Sequence, residues 1–92
     1  MAQDRTPELM TKLSVFWYDR PERSVLLQSV AYNPQMYRLA DSGAVLGKLT
    51  AKAWARRGWV QIVRLVEPDA TVLRTEMSLT DEGWEIVAAM AE

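Results

Sequence analysis

The chain has 92 residues, no cysteine, no histidine and a formal net charge of −1. That length is enough for one domain with a core that folds without disulfide or metal staples. The missing residue types exclude a disulfide framework, thiolate chemistry, Cys/His zinc sites and Ser-His triads.

Thr6 reads as the cap and Pro7 as the first residue of a helix carrying Leu9, Met10, Leu13, Phe16 and Trp17 on one face. Pro21 opens a second predicted helix with Val25, Leu26, Leu27, Val30 and Ala31. "YNPQ" breaks it, because a residue before proline avoids the helical region. Asn33 and Pro34 then read as cap and first residue of a short third helix ending at Ala40, and "DSGA" as a turn. A fourth helix is predicted from about Ala44 to Arg57, stopping at Gly58. The pattern then changes period. "GWVQIVRLVE" and "TVLRTEMSL", separated by "EPDA", predict a β-hairpin. A last helix is expected from Asp81 to about Ala91, capped by Thr80. Its first turn contains Gly83, which costs about 1 kcal/mol relative to alanine in a helix. A close approach to neighbouring backbone is the expected reason for it.

Charge is unevenly placed. Ser42 to Val66 holds no acidic residue, while Lys48, Lys52, Arg56, Arg57 and Arg64 give +5, leaving −6 on the rest of the chain. No apolar run approaches the ~18 residues of a membrane span. The segment "MAQDRTPEL" holds no signal-peptide core, so the expected compartment is the cytoplasm, with no membrane partner.

"RRGWV" followed about twenty residues later by "SLTDEGWEIV" resembles the winged helix-turn-helix of MarR- and PadR-type transcription regulators. The resemblance covers about Val45 to Val87. It implies a single α+β, mainly helical domain: a winged helix-turn-helix with a two-stranded wing, plus an extra N-terminal helix. It also implies a small, dimeric DNA-binding regulator. Lys48, Lys52, Arg56 and Arg57 would contact phosphates from the recognition helix, and Arg64 and Arg74 from the hairpin. On a helical wheel Leu46, Leu49 and Ala53 form the inner stripe, and Ala44, Lys48, Ala51, Lys52 and Ala55 the outer face. That face offers no Asn, Gln or Ser for base readout.

A second reading keeps the same basic helix but gives it an acidic protein surface as partner. The hairpin tip "EPDAT" is acidic and repels phosphate. Trp17 and Trp54 are the expected interface anchors of such a module, and Trp59 and Trp84 the core tryptophans. No catalytic constellation, phosphate loop, cofactor site or metal site is readable, so no enzyme is expected.

Overall fold

The computed structural model describes residues 4–65 and 74–91. Its first element follows the sequence closely. Helix α1, Thr6–Trp17, buries Leu9, Leu13 and Trp17, one every four residues along its inner face, with Met10 and Phe16 packed beside them. Thr6 is the first helical residue rather than the cap. Its amide donates to Asp4 Oδ1 at 2.9 Å, satisfying one of the free N–H groups at the helix start.

From Ser24 to Gly47 the chain is sheet, not helix. Strands β1 (Ser24–Val30), β2 (Asn33–Leu39) and β3 (Val45–Gly47) stand where two helices and the start of a third were expected. Arg23 takes a left-handed φ of 56° immediately before β1, which a continuing helix does not tolerate. Val25 and Leu27 then alternate inward while Leu26 and Gln28 are half-covered, a period of two. Asn33 and Pro34 lie where the β1–β2 register slips. Pairing passes from Ser29↔Tyr37 to Val30↔Asn33, and Pro34 falls among the extra residues, where its missing amide costs no ladder bond. The Asn33 side chain accepts the Gln35 amide at 3.2 Å, a turn made by the same chemistry that caps helices. The expected "DSGA" turn forms, with Gly43 at φ 75°.

Helix α2 is shorter than expected, Lys48–Arg56, with Gly47 as its N-cap in extended conformation. It ends as the sequence implies. Gly58 has φ 76°, its amide donates to the Ala55 carbonyl, and the Trp59 amide to the Trp54 carbonyl, which is a Schellman closure. Strands β4 (Val60–Leu65) and β5 (Arg74–Leu79) pair antiparallel from Val60↔Leu79 to Leu65↔Arg74. The "EPDAT" tip lies outside the described residues. Helix α3, Asp81–Met90, closes the described chain.

The mainly helical winged helix-turn-helix is therefore corrected. The two strands read as a free wing belong to one five-stranded antiparallel sheet of order β3-β2-β1-β5-β4. β5 is an interior strand, paired with β1 over Ser24↔Ser78 to Gln28↔Arg74. One core joins α1, α2 and α3 to Val25, Leu27, Leu39, Val60, Met77 and Leu79 of the sheet. The residues alternating with these, such as Gln28, Arg38, Gln61 and Val63, form the other, open face. No described helix is long and apolar enough to cross a membrane.

Gly83 sits where the elements converge. Thr80 Oγ1 accepts the Gly83 amide at 3.1 Å and donates to the Gly58 carbonyl at 2.6 Å, with the Trp59 carbonyl at 2.9 Å as an alternative acceptor. A Cβ on Gly83 would fall on the Trp59 carbonyl oxygen and 2.6 Å from Leu79 Cδ1. A backbone oxygen fixed at a helix–strand junction cannot swing aside. Gly83→Ala is expected to destabilise the fold by about 1–3 kcal/mol in urea unfolding. Helix propensity alone predicts a gain of about 1 kcal/mol. A stability equal to or above that of the original chain would contradict the close-approach account.

Candidate interaction surface

The orientation of α2 is set by two buried side chains, Ala51 and Trp54. At about 100° per residue these place Leu49, Lys52 and Arg56 on the opposite side, within about 60° of one another. Ala53 lies between this group and Thr50. The inner stripe expected from Leu46, Leu49 and Ala53 is thus rotated by roughly a third of a turn. The expected helix included Ala44–Gly47, so Leu46, which belongs to β3, was counted on its face. Leu49, assigned to the core, is 72% exposed. Ala51, assigned to the outer face, is fully buried.

The six expected DNA-contacting residues do not form one surface. Lys52 and Arg56 are exposed on the outward stripe of α2. Lys48, at the first turn and half-buried, lies over the Tyr37 ring at 5.1 Å. Arg57 turns back instead. Its guanidinium donates to Thr6 Oγ1 at 3.2 Å and stacks over Trp59, tying the end of α2 to the start of α1. Arg64 and Arg74 occupy adjacent pairs of the hairpin, Arg64↔Thr75 and Leu65↔Arg74. Pleating sends them to opposite faces: Arg64 shares the helix side with Ile62, and Arg74 shares the open side with Gln28. Among the described residues, no salt bridge within 4.0 Å engages Lys48, Lys52, Arg56 or Arg57.

Trp17 and Trp54 are corrected from interface anchors to core. They are 0% and 1% exposed, and Phe16 packs on both, with ring centroids 5.1 and 5.7 Å away. Trp54 Nε1 donates to the Leu9 carbonyl of α1 at 3.1 Å inside the core. The remaining expected core tryptophans fit: Trp59 is buried, and Trp84 is half-buried beneath the Arg23 guanidinium.

Two exposed apolar side chains outside α2, Val15 and Val45, are residues the sequence reading missed. Val15 of α1 and Val45 of β3 are 66% and 61% exposed; Val15 borders a groove lined also by Phe16, Leu46, Thr50 and Trp54, and Val45 pairs with Arg38 at the edge of the sheet. Lys12 stands on the α1 rim, where it bonds Glu8 at 3.2 Å and, with Arg5, holds that carboxyl below the usual range. Val15 falls outside the spacing of Leu9, Leu13 and Trp17, and that is the signal that could have marked it as outward.

Comparison with protein-family models, with curated proteins and with solved structures finds no match for this chain.

The Trp54 indole bond is testable directly. Trp54→Phe keeps an aromatic ring but leaves the Leu9 carbonyl without its buried donor. It is expected to lower unfolding free energy by about 1–3 kcal/mol. An unchanged urea midpoint would show that the bond does not fix α2 against α1.

Proposed function

We propose that this protein is a small interaction module that docks an acidic surface of a partner protein through the outward face of α2. The observation that carries this reading is the pairing of Leu49 with Lys52 and Arg56 on one exposed stripe. Protein interfaces bury a small apolar centre and ring it with charge. Phosphate binding rewards the cations alone and has no use for an exposed leucine among them.

Three further observations support a protein partner over duplex DNA. The outward stripe of α2 carries no Asn or Gln for adenine readout, which leaves base contacts to Lys52 and Arg56 alone. Arg64 and Arg74 point to opposite faces of the sheet, so the hairpin does not present both on one surface with α2. The rest of the chain is acidic, with Asp81, Glu82 and Glu85 exposed on α3, and long-range repulsion would oppose a polyanion as large as DNA. A limited acidic patch on a protein avoids that repulsion.

The test is a fluorescence-anisotropy titration of labelled polyglutamate and labelled duplex DNA at two salt concentrations. Polyglutamate is expected to bind, to weaken as salt rises, and to weaken about ten-fold or more in Lys52→Glu/Arg56→Glu. Arg74→Glu is expected to leave it intact. Duplex DNA binding more tightly than polyglutamate, with loss in the same double variant, would assign the face to nucleic acid instead. No polyglutamate binding at low salt would overturn the reading.

A further inference from the structure

The two edges of the sheet are unlike. β3 presents three residues, Val45–Gly47, and then turns into α2. β4 presents six, "VQIVRL", in unbroken register with β5 from Val60↔Leu79 to Leu65↔Arg74. Sheets blunt a free edge with short length, proline, a bulge or several charges. β3 is blunted by its length. β4 has no proline and no bulge, and Arg64 is its one charge. Such an apolar, β-branched segment pairs with another chain when its edge is open.

The hydrogen bonds beside β4 show which of its main-chain groups are free. The Thr80 amide donates to the Trp59 carbonyl at 3.0 Å, and the Leu79 amide turns away from β4 to the Arg23 carbonyl at 2.9 Å. Successive residues of an antiparallel strand point their amide and carbonyl alternately to its two sides. Gln61, Val63 and Leu65 therefore bond β5, and Val60, Ile62 and Arg64 point outward. Among the described residues, no main-chain group takes up the outward amides and carbonyls of Val60, Ile62 and Arg64.

We propose that this protein forms a symmetric dimer in which β4 pairs antiparallel with β4 of a second copy, centred on Ile62. The parity of the strand selects both the occupant and the register. A two-fold axis normal to the sheet, between the two Ile62 residues, sets Val60 opposite the partner's Arg64 and Arg64 opposite the partner's Val60. Every outward amide and carbonyl of both strands is then paired. A centre at Gln61 or Val63 leaves some of them unmatched. The side chains agree with this register. On the open face, each exposed Val63 lies beside the partner's Gln61 and diagonal to the partner's Val63, which covers part of its apolar surface. The two Arg64 side chains fall at opposite ends of the pairing, about 14 Å apart at ~3.4 Å per residue, beyond the ~8 Å screening length of physiological salt. The short β3 edge does not extend the assembly, so it closes at two copies. The axis keeps both helix layers on one side of a continuous sheet, so both α2 helices share one face of the dimer. The pairing stands whether or not α2 binds an acidic partner.

The experiment is sedimentation equilibrium of the full chain and its β4 variants over a wide concentration range. The mass is expected to rise with concentration from 10.5 kDa toward twice that value. Arg64→Pro removes an outward amide at an edge position, where proline is tolerated within one sheet. Val63→Lys sets like charges across the axis. Each is expected to weaken dimerisation about ten-fold or more. Arg64→Ala keeps the amide and is expected to leave dimerisation unchanged. Circular dichroism and melting establish that each variant is folded, and the exposed Val63→Lys carries the test should Arg64→Pro unfold. The chain has no cysteine, so a single introduced one links only to a second copy. Ile62→Cys is expected to give a disulfide-linked dimer under mild oxidation, because opposed hydrogen-bonded residues lie about 5.5 Å apart, within disulfide reach. Arg64→Cys is expected to give none. A mass fixed at 10.5 kDa would overturn the proposal. A dimer that persists in Arg64→Pro and Val63→Lys, or equal linking of Ile62→Cys and Arg64→Cys, would overturn it as well.

Discussion

The Trp54 indole, held under α1 by its bond to the Leu9 carbonyl, fixes how α2 is turned. A nine-residue helix has little stability of its own and takes its orientation from what it buries. Here Trp54 and Ala51 go inward, and Phe16 packs against the Trp54 ring from α1. The outward set of Leu49, Lys52 and Arg56 is the geometric remainder of that choice. The Schellman closure at Gly58 and the Arg57–Thr6 bond then tie the C-terminal end of α2 to β4 and α1. The surface proposed to meet a partner thus stands on a rigid support, which lowers the ordering cost of binding.

What the sequence reveals and what it conceals divide along a physical line. Features decided within a few residues are readable: the apolar stripe of α1, Gly58 as a left-handed terminator, Thr80 as a cap, and the antiparallel pairing of Val60–Leu65 with Arg74–Leu79. Gly83 is readable too, because a glycine one turn into a helix needs a reason, and the Trp59 carbonyl supplies it. The stretch from Ser24 to Leu39 misleads because its evidence is ambiguous at short range. The run Val25-Leu26-Leu27 with Val30 fits either period, and Asn33-Pro34 serves a helix start or a bulged hairpin equally well. Pairing with β5 decides the matter, and β5 lies more than forty residues away. Arg23 shows the same limit. Its left-handed backbone has no local signal and is held by tertiary contacts: its carbonyl accepts the Leu79 amide at 2.9 Å, and its guanidinium lies over Trp84.

The candidate site was half readable for a related reason. The basic block is plain in the sequence, and two of its α2 members, Lys52 and Arg56, are displayed together, while Lys48 lies half-buried over Tyr37. Which apolar residues accompany them depends on helix rotation, and counting three strand residues as helix was enough to move Leu49 to the wrong side. Large aromatics were the natural choice of anchor, yet in a small domain they are also the most efficient core fillers. Trp17 and Trp54 take that role, leaving the smaller Val15, Val45 and Leu49 outside.

The sheet provides an alternative cationic surface. Its open face carries Arg74, Gln28 and Arg38 in one row across three strands, so cations exist on both sides of the molecule. Residue-resolved NMR shift mapping during a polyglutamate titration separates the two faces most directly. Shifts are expected to centre on Leu49, Lys52, Ala53 and Arg56 and to fade toward Gln28 and Arg38. Shifts centred on the Arg74–Gln28–Arg38 row, with α2 undisturbed, would contradict docking through α2.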